Sequence, residues 1–102
     1  MATAAVYVGV LIFTIETPAV TSLKEKRSLV LPVTERLKAR FPVSVARLDG
    51  LDAHGWERIG VSAISADRAW LERTLASALA FVEGRGLGVR GSTLDIEVWD
   101  AD

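Results

Sequence analysis

Apolar and polar side chains alternate at the end of the first long hydrophobic stretch, Ala5 to Glu16, and this period of two predicts a β-strand. The polar residues Thr14 and Glu16 set the phase, so odd-numbered side chains should face the core. The predicted inward residues nearest that end are Leu11, Phe13 and Ile15. The opposite face is also apolar, with Val6, Val8, Val10 and Ile12. Such a strand is either covered on both faces or exposes a patch that a partner covers.

The pattern then changes to the period of a helix. Ser22 followed by Glu25 is a capping box, in which each side chain accepts a hydrogen bond from a free backbone N–H of the first turn. An apolar stripe follows at every fourth position, Leu29, Val33, Leu37 and Phe41, with Val30 adjoining it. The helix should run to about Arg40, and Pro32 should bend it without ending it, because the stripe continues in phase.

The rest of the chain predicts one helix and three strands. The predicted ranges are a strand over Val43 to Leu48, a strand over Arg58 to Ile64, a helix over Ala66 to Glu83 and a strand over Ser92 to Trp99. Turn-forming residues between Asp49 and Gly55 predict a hairpin loop. Ser65 is the expected N-cap of the second helix and Gly84 its end.

The resulting order, β-α-β-β-α-β, predicts an α+β fold of the ferredoxin-like kind, with residues 1–102 forming one domain. Its four antiparallel strands should lie in the order 4-1-3-2, with both helices on one face. The first strand is then central, and its outer side chains lie on an uncovered face. We therefore expect a homodimer formed through the sheets, with an interface at Val8, Val10 and Ile12 and with Trp99 at the edge.

Composition narrows the class of protein. The chain has 102 residues, half of them hydrophobic, and no cysteine, which excludes disulfides and thiolate chemistry. Asparagine and glutamine are absent too, as expected of a thermophile's protein, although a GC-rich genome would give part of the same bias. No apolar run approaches the roughly 20 residues of a membrane span, and no signal-peptide pattern precedes the first strand. We expect a soluble, cytoplasmic protein without a membrane partner.

The formal charge of −1 conceals an excess of basic residues in the first half. Three cations, Lys24, Lys26 and Arg27, lie beside Ser22 at the start of the first helix, where the helix dipole favours a bound anion such as phosphate. These four residues are the predicted anion- or RNA-binding site. The alternative is a solvated basic face with no ligand.

Two other kinds of site are disfavoured. RNA binding by stacked bases is unexpected, because the predicted third strand has no aromatic residue; contact should instead be made with the RNA backbone. The hairpin loop contains residues that can bind a metal or transfer protons: Asp49, Asp52, His54 and Glu57. A loop rich in turn residues would have the same composition without a site, so we predict no metal, no cofactor and no catalytic residue. An enzyme that uses this loop is the less favoured alternative.

The chain resembles the YlxP-like family of small bacterial proteins. The resemblance rests on several segments: Val8-Gly9-Val10-Leu11, Ser22-Leu23-Lys24-Glu25-Lys26-Arg27, Phe41 with Val43, Val45-Ala46, Ile59-Gly60-Val61, and Ser65 with Asp67-Arg68. It implies a ferredoxin-like fold, no established reaction, and an RNA or ribosome-associated partner. The family tends to place tryptophan where this chain has His54, and Trp56 follows two residues later.

Two functions remain open at this point. The first is a non-catalytic binding protein that engages RNA or a ribosome-associated partner through the basic start of the first helix. The second is a small-molecule-binding regulatory module, with its ligand at the dimer interface near Val8, Val10 and Ile12.

Overall fold

The computed structural model describes residues 5–100. Its elements are β1 (Ala5–Glu16), α1 (Leu23–Arg40), β2 (Ser44–Asp49), β3 (Trp56–Ser65), α2 (Arg68–Glu83) and β4 (Gly88–Asp100). The sheet has the order β2-β3-β1-β4, which is the predicted order seen from the other edge. All neighbouring strands are antiparallel. The predicted ferredoxin-like fold is confirmed.

The core lies between the inner face of the sheet and the two helices. The predicted phase of β1 is correct, because Leu11, Phe13 and Ile15 are fully buried. Both helices contribute to the same cluster: Val30, Val33 and Leu37 from α1, and Leu71, Leu75, Ala78 and Val82 from α2. A side chain at Gly9 would collide with Leu75, so the glycine lets α2 approach β1 closely.

The start of α1 has the predicted cap, with one difference. Ser22 is extended, and its hydroxyl accepts a hydrogen bond from the Glu25 N–H at 3.0 Å. The Glu25 carboxylate accepts from the hydroxyl and the N–H of Thr21, at 2.9 and 3.4 Å, and not from Ser22. The helix continues through Pro32, as predicted. Val30, Val33 and Leu37 of the predicted stripe are buried, whereas Leu29 is 40% exposed, so the prediction for Leu29 is wrong.

The N-cap of α2 is Asp67, so the prediction of Ser65 is wrong. The Asp67 carboxylate accepts from the Trp70 N–H at 3.0 Å. Ser65 still pairs with Tyr7 in the sheet, and its hydroxyl accepts from the Asp67 N–H at 3.0 Å. A residue that is held in the sheet cannot also begin the helix.

The last strand is longer than predicted. It begins at Gly88 because β1 is long enough to supply partners as far as Glu16. The register shifts where Phe13 faces Gly91 and Ser92, and Gly91 has φ +61°, as a bulge of this kind requires. None of the helices within residues 5–100 is long and apolar enough to cross a membrane.

Candidate functional site

The three cations at the start of α1 do not share one surface. Lys24 and Arg27 are exposed, whereas the side chain of Lys26 is only 1% exposed. Lys26 precedes Val30, Val33 and Leu37 by four, seven and eleven positions, and this spacing places it on the buried stripe. The prediction that Lys26 helps to bind an external anion is therefore corrected.

The Lys26 ammonium binds the hairpin loop from within. It donates hydrogen bonds to the backbone carbonyls of Gly50 and Ala53, both at 2.5 Å, and of Trp56 at 2.8 Å. Its fourth neighbour is Oε1 of Glu57, at 3.2 Å. An ammonium has three donors, and these contacts occupy them all. Lys26 thus fixes the path of the loop against α1.

Glu57 is the second charge in this buried cluster. Its carboxylate accepts from Arg47 Nε at 2.5 Å and from a second Arg47 nitrogen at 2.8 Å, so the guanidinium binds it through both oxygens. Burial alone would raise the pKa of Glu57. The hydrogen bonds and the charges of Arg47 and Lys26 outweigh burial and hold that pKa below its ordinary value. The carboxylate is therefore ionised and fully partnered, as a structural ion pair requires.

The hairpin loop is also held by the segment that follows β1. Thr17, after β1, donates from its N–H to the Gly55 carbonyl at 2.8 Å and from its hydroxyl to the His54 carbonyl at 2.6 Å. His54 and Asp52 are exposed, whereas Glu57 is buried among the core residues. Within residues 5–100, no three acidic, histidine or cysteine side chains are grouped so that they could hold a metal ion. The four loop residues therefore do not converge.

The N-terminus of α1 already has an anion beside it, the carboxylate of Glu25 in the first turn, which accepts hydrogen bonds from Thr21. Ser22 caps the same turn. The cations left facing solvent are Lys24 and Arg27. Neither forms an ion pair with any acidic side chain in the described part of the chain. Of the predicted anion-binding residues, these two remain candidates.

Sequence reasoning missed a second cationic cluster, beside the C-terminal end of α1. Arg36, Arg40 and Arg85 line a pocket of about 330 Å³ together with Ala39 and Phe81. Arg36 and Arg40 are four positions apart and therefore share a face of α1, which was visible in the sequence. The position of Arg85 beside them depends on how the ends of the two helices approach each other, and the sequence does not show this.

The outer face of the sheet is apolar at its centre. The predicted interface residues lie on it: Val10 is 37% and Trp99 58% exposed, while Val8 and Ile12 are partly buried. A groove of about 330 Å³ runs along this face past Val10, Ile12, Leu48 and Gly60. Leu48 occupies a bulge in β2 and lies over Gly60, where any side chain would meet it.

Charged residues border the apolar part of this outer face. Asp95 pairs with Val10 near the middle of β4, and Glu97 pairs with Val8 further along it. At the other end, Thr14 lies between Arg58 of β3 and Arg90 of β4. The apolar centre is therefore flanked by acidic side chains on one side and basic side chains on the other.

These features define a small ferredoxin-like α+β domain, with a buried ion cluster beneath one loop and with exposed cations at the start of α1 and around the arginine pocket. The chain belongs to the DUF503 family of proteins of unknown function, whose family model matches residues 8–96. It is similar to the uncharacterized protein YlxP of Bacillus subtilis (strain 168). The two are 34% identical over 64 residues, which are 61% of this chain and 67% of that protein. The resemblance seen in the sequence is confirmed.

Two solved structures are distantly similar to the chain. The de novo designed protein Foldit4 aligns with a TM-score of 0.44 and 17% identity, over 96% of this chain and 99% of the design. SnoaB, a cofactor-independent oxygenase from Streptomyces nogalater, aligns with a TM-score of 0.42 and 20% identity, over 99% of this chain and 95% of the oxygenase. At these scores neither likeness carries an argument about function.

Proposed function

We propose that the protein is a non-catalytic binding protein that engages the RNA backbone through the exposed start of α1. The observation that supports this function is the exposure of Lys24 and Arg27, neither of which has an acidic partner within residues 5–100. Two unpaired cations one turn apart can approach successive phosphates of one strand. Contacts of this kind are independent of base sequence and weaken as salt concentration rises.

The outer face of the sheet supports backbone contact over base stacking. RNA-binding sheets of this fold stack bases on aromatic side chains of the central strands. The outer side chains at the centre of β1 are aliphatic. The β3 residues opposite them are Gly60, Ser62 and Ile64. A base would find no aromatic ring at this point, so recognition through α1 is the better explanation.

Filter binding of ribosomal RNA across a salt series tests this function. We expect the Lys24→Ala/Arg27→Ala variant to bind more weakly. The slope of the logarithm of its binding constant against the logarithm of salt concentration should be shallower by about 1.4, for two lost contacts with a single strand. The control Arg68→Ala/Arg73→Ala removes two cations from α2 and should retain the slope. Unchanged binding and slope in the first variant, or equal losses in both, would overturn the proposal.

The apolar sheet face favours a second candidate function, a homodimer whose interface holds a small-molecule ligand. The opposite charges at its two ends suit a second copy of the chain. A two-fold axis across the strands lays the end with Arg58 and Arg90 over the partner's end with Asp95 and Glu97. Arg90 also pairs with Glu16 of its own chain at 3.4 Å, whereas Arg58 has no such partner among the described residues. The groove beside Val10 and Ile12 is then closed by the partner and becomes the ligand site.

Sedimentation at several protein concentrations tests the dimer. We expect the wild type to be dimeric and Val10→Asp to be monomeric, because the substitution places a charge in the apolar centre. Leu51→Asp, at an exposed apolar residue of the hairpin loop, is the control and should remain dimeric. A monomeric wild type would rule out both the dimer and its ligand site. In a dimeric protein, a thermal-shift screen tests the ligand, and stabilisation by a compound should be lost in Val10→Asp.

A further inference from the structure

We infer that Arg36, Arg40 and Arg85 form a binding site for a phosphate group, separate from the start of α1. The pocket of about 330 Å³ lies where the C-terminal ends of the two helices meet, and all three arginines are exposed around it. Arg36 and Arg85 also line the adjoining pocket, of about 260 Å³, which runs toward Ser28. The inference goes beyond the proposed function, since neither Lys24 nor Arg27 contributes to either pocket.

Aromatic rings hold two of the guanidinium groups in place. The Cζ atom of Arg40 lies 5.2 Å from the centre of the Phe81 ring, and that of Arg85 lies 5.6 Å from it. Phe41 packs edge-on against Phe81, with ring centres 6.0 Å apart, and Arg40 contacts this second ring too. A cation–π contact restrains a guanidinium and leaves its charge and most of its N–H donors free.

The charge of the cluster is not neutralised within the described part of the chain. None of the three arginines lies within ion-pair distance of an acidic side chain there. The C-terminal ends of the helices carry partial negative charge, which accounts in part for Arg40 and Arg85. Arg36 lies a full turn before the end of α1, outside most of that effect. Three cations gathered without an anion indicate that the anion comes from a ligand.

The geometry suits phosphate. Arg40 and Arg85 both lie against the Phe81 ring, so their Cζ atoms are no more than about 11 Å apart. The N–H groups of an arginine fork match phosphate oxygens in pairs, at hydrogen-bond distances of about 2.7–2.9 Å. The Phe81 ring already contacts two cations, so its role is to restrain the arginines. The phosphate can come from an RNA backbone or from a free phosphorylated compound.

Titration with inorganic pyrophosphate tests the site, with binding measured by calorimetry and by the NMR signals of the arginine Nε–H groups. We expect Arg40→Gln/Arg85→Gln to bind at least tenfold more weakly than the wild type. Arg68→Gln is the matched control, because Arg68 also lies over a ring, that of Tyr7 at 6.0 Å, but is paired with Glu72. Its affinity for pyrophosphate should equal that of the wild type.

A further variant separates the arginine fork from simple charge. Arg40→Lys keeps the cation and should bind pyrophosphate with intermediate affinity. Failure of the wild type to bind pyrophosphate, or equal affinity in the wild type and Arg40→Gln/Arg85→Gln, would overturn the inference. A circular dichroism melt of each variant shows that the comparison is between folded proteins.

Two additional ligands identify the source of the phosphate. Tighter binding of a short oligouridine with a 5′-hydroxyl than of ADP indicates an RNA backbone, and the reverse indicates a free phosphorylated compound.

The outcomes for the two surfaces are independent. If Lys24→Ala/Arg27→Ala loses RNA but keeps pyrophosphate, both proposals stand. If RNA binds but pyrophosphate does not, the function stands and the arginine site fails. If pyrophosphate binds but RNA does not, the arginine site stands and the function fails.

Discussion

The Nζ atom of Lys26 lies 3.2 Å from Oε1 of Glu57, and both side chains are shielded from solvent. Arg47 completes the cluster on the other side of the carboxylate. A buried charge that loses its partner is costly, because the remaining charge cannot return to water. The stability of the fold should therefore depend on Lys26 more than on its exposed neighbours.

Replacing Lys26 by methionine keeps an unbranched side chain as far as Cε and removes the charged ammonium group. We expect the free energy of unfolding to fall by about 3–5 kcal/mol, because Glu57 loses a partner and the loop carbonyls lose their donor. Lys24→Met, at an exposed position, should change it by less than about 0.5 kcal/mol. Urea unfolding measures both, and similar values for the two variants would contradict the role given to Lys26.

The Glu57 cluster also predicts how stability depends on pH. The pKa of Glu57 is lower in the folded protein than its ordinary value of 4.5. Between those two values the unfolded chain binds more protons, so stability rises with pH there. The contribution of Glu57 is complete above pH 4.5 and is lost as the pH falls through the folded pKa.

Urea midpoints measured at a series of acidic pH values test this dependence. The midpoint of the wild type should fall on acidification, and that of Glu57→Gln should fall less steeply, although this variant starts from lower stability. Glu83→Gln, at an exposed glutamate, should follow the wild type. An identical pH profile in Glu57→Gln would show that this carboxylate does not supply the effect.

Gly50 is required at the start of the hairpin loop for two reasons. Its φ is +76°, and a Cβ atom there would lie 2.6 Å from the Trp56 ring. Gly86 has a similar φ of +83° but open space around it. We expect Gly86→Ala to cost about 1–2 kcal/mol for the backbone alone, and Gly50→Ala to cost more because Trp56 must also move. Thermal unfolding of the two variants isolates the contribution of the Trp56 ring. Equal losses of stability would show that the ring contributes nothing.

The cap of α1 can be tested with two serines of the same region. The Ser22 hydroxyl accepts from the Glu25 N–H, whereas the Ser28 hydroxyl donates to the Glu25 carbonyl at 2.6 Å. We expect Ser22→Ala to destabilise the protein by about 1 kcal/mol, and Ser28→Ala to be neutral or slightly stabilising, since alanine is the better helix former. The same loss in both variants, measured by urea unfolding, would contradict the assignment of Ser22 as the cap.

Hydrophobic period and turn chemistry were sufficient to predict the fold. The alternation in β1 gave the correct inner face, and the capping box located the start of α1. The end of α2 at Glu83 was predicted correctly, but the starts of α2 and β4 were not, because both depend on how far β1 extends to pair with its neighbours. The length of a strand is a property of its partners as much as of its own sequence.

The site was predicted less well, for a physical reason. Charge near a helix start suggested that three cations act together, but helical spacing separates them, and Lys26 continues the apolar stripe of Val30, Val33 and Leu37. The same argument applies to Glu57, which lies on the same inner face of β3 as Ile59 and Val61. Reading charged residues by the face they occupy would have found both. The arginine pocket is different, since it brings together residues that are 45 and 49 positions apart in the chain.

The three carbonyls that Lys26 holds belong to residues 24, 27 and 30 positions further along the chain. The fixed path of the hairpin loop therefore depends on contacts with α1, although both of its strands are local in sequence. We expect loop and helix to open together, so that their slowest amide protons exchange with the same free energy. A loop that looks like an independent surface hairpin is in this respect an extension of the first helix.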